Sequence, residues 1–318
     1  MNNNTTRTAD FVLPLFTVIF GSIASIMSAM ILFIVIYHQH KNRVTKEKRI
    51  TLILCVNIYL CIFLWSTILM LLNIRTVLGD LYGLSFDSIQ CIFYGYIDLN
   101  ISGTFYYGFV TQAFYRFCRI IYPAYRWYQV YWLYIIAVPL QFIMACLVMC
   151  PLYFWHAVVY MPGLYHCFIP IQNILGIVWM FFFFYGLPVF FLSVTYIRIT
   201  RYIHQQSTNQ TIAVKRRQAR DFVVIKRIMA QINMLFTLAL PGTILMIISY
   251  VTGNTYPVHY RVAWLSIELS LIILSILMIV MTPQLKTIVI SKWKRDRVIP
   301  VAATVGNSVA TRTVGTLQ

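Results

Sequence analysis

Val130 to Phe154 reads VYWLYIIAVPLQFIMACLVMCPLYF, a run without one charged side chain. A helix rises about 1.5 Å per residue, so about 20 such residues cross the ~30 Å hydrocarbon of a bilayer. Lipid offers the backbone no hydrogen-bonding partner, which leaves only helices and closed barrels able to span it. The run has none of the alternation of a barrel strand, so it reads as a membrane-spanning helix.

Runs of the same kind lie on both sides of it, at about 12–37, 50–73, 90–121, 174–203, 222–251 and 262–285. Together they predict an all-α membrane protein, a seven-transmembrane helix bundle occupying residues 12–285. The third and fifth helices are long enough to project beyond the bilayer. The 318 residues are 60% hydrophobic and 10% charged, with a mean hydropathy of +0.76. Soluble proteins are about half apolar and a quarter charged, so an ordinary soluble domain is excluded. A net charge of +17 would suggest nucleic acid in a soluble chain. Here Lys and Arg fall in short segments between the apolar runs, which implies the lipid bilayer as partner and no nucleic acid.

Counted by side of the membrane, three basic residues (Arg7, Arg75 and Arg261) fall on one side and twenty-two on the other. The richer side comprises 38–49, 116–129, 198–227 and the tail from Lys286. Such segments stay cytoplasmic, which makes 1–11 an extracellular N-terminus and 286–318 a cytoplasmic tail. Met1 to Asp10 lacks the basic and short apolar regions of a cleavable signal peptide, so the first span serves for insertion. Asn3 and Asn4 head two overlapping glycosylation sequons on the outer side. No internal repeat points to an inverted-repeat transporter. Beyond Pro283, the apolar Ile288, Val289 and Trp293 with the basic Lys292, Lys294 and Arg295 predict a short amphipathic helix along the inner surface. Lys215-Arg216-Arg217 reads as a solvated or lipid-headgroup contact, and Trp179 to Tyr185 as lipid-facing and packing surface.

Of the seven cysteines, Cys55, Cys61, Cys146 and Cys150 fall within spans and Cys118 at the inner end of the third. Cys91 and Cys167 face the oxidising side, where a disulfide would tie the third helix to the loop between the fourth and fifth. Two free thiols are the alternative. Charges inside a span are costly and therefore informative, and two acids qualify, Asp98 and Glu268. Asp98 lies about 10 Å along the helix from Cys91 and about 27 Å before Arg116. Its carboxylate needs a partner, either a ligand or neighbouring Tyr, Ser or Asn side chains, and Ser102 shares its face one turn inward. Glu268, less than two turns into the seventh span, reads as interfacial and hydrated. Pro188, Pro241 and Pro283 remove backbone hydrogen bonds and kink their helices.

From Cys91 the third span continues Ile92-Phe93-Tyr94-Gly95-Tyr96-Ile97-Asp98 and ends Phe114-Tyr115-Arg116-Phe117, with Pro123 beyond. Here the chain resembles the rhodopsin-like (class A) G-protein-coupled receptors. Arg116 stands twenty-five residues after Cys91 and Pro123 seven after Arg116, as the outer cysteine, the triplet arginine and the following proline do in that family. Pro188 with Tyr196 eight residues later, Pro241 and Pro283 match its fifth, sixth and seventh helices. The resemblance covers all seven spans. It implies a plasma-membrane, multi-pass receptor that is not an enzyme and needs no cofactor. Its partners would be a heterotrimeric G protein and an extracellular ligand, a cationic amine or a peptide. Asp98 falls on the position that pairs with a ligand's amine, with Ser102 beside it, while Tyr115, Arg116, Phe117 and Tyr196 fall at the coupling end.

The departures mark a divergent member. Tyr115 replaces the acid beside the arginine, so the usual resting ion pair of that triplet cannot form. Leu238-Ala239-Leu240-Pro241 lacks the sixth-helix tryptophan, and Thr282-Pro283-Gln284-Leu285-Lys286 keeps only the proline of the seventh-helix motif. Asn57-Ile58-Tyr59-Leu60 carries no aspartate, and Gln141 stands where the fourth-helix tryptophan is usual. The alternative is a channel or transporter subunit of the plasma membrane, which would line its pathway with several polar groups. An intramembrane enzyme would need a nucleophile and base or a His-Glu-x-x-His motif, and the sequence has neither.

Overall fold

The computed structural model describes residues 3–41, 46–205, 229–253 with gaps, 257–282 and 285–288. The apolar runs become α1 (Asn3–Lys41), α2 (Lys46–Tyr82), α3 (Ile89–Ile121) and α4 (Tyr131–Phe154). A hairpin of β1 (Val159–Met161) and β2 (His166–Phe168) follows, antiparallel, with Tyr160 opposite Cys167. The fifth span is two helices, α5 (Ile174–Met180) and α6 (Leu187–Gln205), joined by a π turn over Phe181–Gly186. The seventh is α7 (Pro257–Met281). Within the expected sixth span, every described residue from 229 to 251 is helical. Pro283, the basic segment 206–228 and the tail from 289, with its expected amphipathic helix, lie outside the described residues.

Among the described residues, five helices are long and apolar enough to cross a membrane: Phe11–Lys41, Arg49–Tyr82, Tyr131–Phe154, Ile174–Gln205 and Pro257–Val280. α4 turns Trp132, Ile136, Leu140, Ile143 and Leu147 outward. Their spacing of three and four makes one lipid-facing stripe. α3 is the opposite case. It sits between α2, α4, α6 and the hairpin and buries its polar residues Asp98, Thr104, Gln112 and Arg116.

Apolar contact between helices carries no hydrophobic drive in lipid, so polar contacts and close packing hold such bundles together. Ser25 and Ser66 share a hydrogen bond of 2.8 Å between α1 and α2. Asn57 Nδ2 donates to Gln141 Oε1 at 3.1 Å, and Gln141 Nε2 donates to Thr111 Oγ1 at 2.8 Å. One glutamine thereby ties α2, α3 and α4. Tyr59 Oη donates to the Ser275 carbonyl at 2.9 Å, joining α2 to α7.

The π turn follows from Pro188. Leu187 N–H bonds to the Phe182 carbonyl, five residues back. The Phe183 carbonyl would then take its bond from residue 188, a proline with no N–H to give. Tyr107 Oη on α3 supplies it instead, at 2.9 Å. The aromatic run is accordingly only partly lipid-facing: Phe182 is exposed, whereas Phe184 is buried on Gly103.

A candidate ligand site beneath the hairpin

The disulfide expected from the cysteine positions is formed, with Cys91 and Cys167 sulfurs 2.03 Å apart. Ser88 caps α3, its hydroxyl accepting from Cys91 N–H at 3.3 Å. One turn further on, a Cβ at Gly95 would stand 2.6 Å from the Cys167 carbonyl oxygen. Only glycine lets the hairpin backbone lie this close to α3. The crosslink and the glycine together press β2 onto the end of the bundle.

The other ties come from α2 and α7. Thr76 Oγ1 donates to the Leu164 carbonyl at 2.6 Å. Tyr260 Oη accepts from Ile171 N–H at 2.8 Å. Arg261 holds both Asp80 oxygens, at 2.7 and 3.0 Å, and donates to the Gly163 carbonyl at 3.0 Å. The sequence places Arg75 and Arg261 in connections between spans. Instead both are helical, since α2 runs on to Tyr82 and α7 begins at Pro257. The Arg75 guanidinium stacks on Tyr94, 4.8 Å from its centroid.

His166 is enclosed by these ties. Its Nδ1 lies 2.9 Å from the Leu164 carbonyl, which fixes Nδ1–H as the donor of the neutral ring. Nε2 has no hydrogen-bond partner among the described residues. Burial, then the positive charges of Arg261 and Arg75, push its pKa down to about 4, against the Leu164 bond that favours the charged form. The ring is therefore neutral at physiological pH, edge-on to Trp264 at 5.8 Å.

Beneath the hairpin lie the two intramembrane acids. Asp98 is buried on α3 with Oδ1 unpartnered among the described residues. The Trp65 indole faces it without closing a hydrogen bond. Ser102, expected to share the site, turns its hydroxyl back onto the Leu99 carbonyl at 2.8 Å. Glu268 corrects the sequence reading. It is 0% exposed rather than hydrated at the interface, because α7 starts at Pro257 and brings it about 16 Å along the helix. Gly21 of α1 makes the room: a Cβ there would stand 3.0 Å from Glu268 Oε1. Neither Glu268 oxygen has a hydrogen-bond partner among the described residues, and Asp98 lies within electrostatic range of it. Trp264, one turn before Glu268, packs edge-on against Phe168 at 4.8 Å. Trp65 rests on Phe105 at 5.4 Å, and Phe105 on Phe109 at 5.1 Å, closing the floor with rings. Sequence reading missed both tryptophans and His166, which carry no motif and matter only through what folds beside them.

At the far end of α3, Arg116 is buried and its guanidinium lies 5.6 Å from the Tyr115 ring. Tyr115 packs edge-on to Tyr134 at 4.9 Å in a cluster with Ile50 and Leu54. Phe117 and Tyr196 come together around Ile120 and Ile199, between α3 and α6. Among the prolines, Pro188 is buried beside the π turn and Pro241 is exposed in a helical stretch. The sequon residues Asn3 and Asn4 begin α1, which runs ahead of the first apolar span at Phe11.

The helices, their order and the crosslinked hairpin define a rhodopsin-like seven-helix fold in a multi-pass membrane protein. Among the solved structures it resembles is that of squid rhodopsin, which matches with a TM-score of 0.72 over 92% of this chain and 87% of that one. Identity between the two is 15%, so the likeness is one of fold. No protein-family model matches the sequence, and no curated protein matches it.

Proposed function

We propose that this chain is a G-protein-coupled receptor of the plasma membrane, with residues 1–11 outside, 286–318 inside and the hairpin facing the extracellular medium. The observation that carries the reading is the rhodopsin-like fold joined to the positions of two residues on one helix. Asp98 lies under the hairpin, and Arg116 is buried at the opposite end of α3. Asp98 serves as counterion for an extracellular amine or peptide, and Arg116, Tyr115, Phe117 and Tyr196 form the surface that opens to a heterotrimeric G protein. A ligand does this by binding the open state more tightly than the closed one. The channel or transporter reading is disfavoured by the ring-filled layer of Phe105 and Phe109 between the two ends of α3, where a permeation path needs polar lining.

The test is an agonist screen against a panel of G-protein dissociation reporters, with Arg116→Ala at matched surface expression. Ligand-evoked nucleotide exchange that vanishes in Arg116→Ala supports the reading. Ligand-evoked current in cells lacking G proteins overturns it.

A further inference from the structure

Six buried polar atoms without hydrogen-bond partners among the described residues gather in the same part of the bundle: Asp98 Oδ1, both Glu268 oxygens, the Trp65 and Trp264 indole nitrogens, and His166 Nε2. Buried polar groups are nearly always paired, so the four acceptors among them, Asp98 Oδ1, both Glu268 oxygens and His166 Nε2, ask for a donor. The charge inventory says which kind. Both carboxyls are enclosed, on α3 and on α7, and each is charged only if a cation comes to it. Arg261, the buried cation of the hairpin end, is already committed to Asp80 and Gly163. His166 is held neutral and its ring faces Trp264. The bundle thus offers two acidic ends and no basic group of its own between them among the described residues.

The remaining walls suit organic cations. Trp65 faces Asp98, and Trp264 precedes Glu268 by one turn on the same face of α7. Indole faces attract ammonium groups, and indole N–H groups hold carboxylates in place. Gly21 shows that the Glu268 carboxyl has a fitted place, since α1 leaves out a side chain where Oε1 lies.

We propose that Asp98 and Glu268 form one site for a small organic dication, each carboxylate taking one basic nitrogen of an α,ω-diamine. This rests on the receptor reading for its consequence, signalling, and not for binding itself. A monoamine satisfies Asp98 and leaves Glu268 uncompensated. A diamine of matching length neutralises both, so selectivity lies in the second nitrogen.

The experiment uses the full-length protein in lipid nanodiscs, with 1,3-diaminopropane through 1,6-diaminohexane and the corresponding n-alkylamines as probes. Binding is read as thermal stabilisation, separately from nucleotide exchange on added G protein. The expected result is stabilisation by diamines at least tenfold more potent than by monoamines, with an optimum in chain length. Glu268→Gln abolishes that preference and leaves a residual monoamine response, whereas Asp98→Asn removes both. Gly21→Ala, which displaces the Glu268 carboxyl without removing its charge, shifts the length optimum. Equal potency of diamines and monoamines overturns the proposal, as does retention of the preference in Glu268→Gln. Diamine binding without nucleotide exchange sustains the site and refutes the receptor reading. Exchange driven by another ligand class and unaltered in both acid variants does the reverse.

Discussion

Acidification should destabilise this protein through His166, by an amount the structure sets. The ring is neutral in the fold because burial and two arginines hold its pKa near 4, whereas the free side chain titrates at 6.5. Between these values the unfolded chain binds a proton that the folded one refuses, so stability falls as pH falls through that window. The neutral ring's contribution is complete above about pH 6.5 and lost by about pH 4. Within the window each pH unit is worth about 1.4 kcal/mol, and the fall from pH 7 to pH 5 comes to about 2 kcal/mol. Mid-sized domains lose about 2–4 °C of Tm per kcal/mol, so a drop of about 4 °C or more is expected. The assay is thermal unfolding of the nanodisc-embedded protein across pH 4.5–7.5, beside His166→Gln, which keeps a hydrogen-bonding group without the titration. Subtracting the two curves removes every other titrating group. The reasoning is refuted if the difference curve is flat between pH 7 and 5, or if it slopes the other way.

Three further expectations concern the same framework. Arg261→Met leaves the Asp80 carboxylate and the Gly163 carbonyl without their donor. Since Asp80 is part-exposed, the cost is about 2–3 kcal/mol, below the full penalty for a broken buried pair. A double-mutant cycle with Asp80→Asn should return at least 1 kcal/mol of that, on the order of a charged hydrogen bond; additivity would show the pair to be idle. Gly95→Ala drives a methyl to 2.6 Å from the Cys167 carbonyl oxygen and 2.8 Å from Val158 Cγ1. The displaced hairpin should cost about 1–3 kcal/mol and slow formation of the crosslink, read by thiol labelling during refolding; wild-type Tm and labelling would count against the close approach. Tyr107→Phe strips the Phe183 carbonyl of its donor and should lower stability by about 0.6–1.7 kcal/mol, the range for interhelical bonds in membranes. An unchanged Tm would mean that another group caps the carbonyl.

What could be read in the sequence was whatever depends on length, spacing and side of the membrane. The described spans are where the apolar runs put them, and the Cys91–Cys167 crosslink follows from exclusion of the other five thiols. The misplaced features share a physical cause. A hydropathy run stops at its first charges, so α2 is cut at residue 73, before Arg75 and Asp80. Yet the helix continues to Tyr82, because Tyr94 receives one charge and Arg261 the other. The same shortening set the start of the seventh span at 262 and made Glu268 look interfacial. Its burial depends on Gly21, two hundred and more residues away, which no local pattern reveals. Gln141 reads as a missing tryptophan, but with Asn57 and Thr111 it crosslinks three helices at that place. The π turn is invisible for a related reason: Pro188 announces a break, but the form of the break is decided by Tyr107 on another helix.

The position of that break bears on how a receptor of this sequence would move. α2, α3 and α4 are locked by the Asn57–Gln141–Thr111 bonds, and α2 is tied to α7 through Tyr59. Between Asp98 and Arg116, Phe105 and Phe109 stack edge-on and fill one face of α3 with rings. Sideways, however, aromatic contacts run without a gap from the Trp65 indole beside Asp98 to Tyr106 at 6.5 Å, from there to Tyr185 in the π turn at 5.3 Å, and on to Phe236 of the sixth span at 5.5 Å. Contact alone transmits nothing; coupling needs an element with two arrangements. In the proposed receptor the π turn would be that element: one carbonyl takes its bond from Tyr107 instead of its own helix, and a return to α-helical pitch would rotate everything beyond Pro188. A cation that draws Asp98 away from Trp65 changes the packing at the first ring of that series. In the proposed receptor the turning element would then lie at Pro188 in the fifth span, and not at the tryptophan position of the sixth.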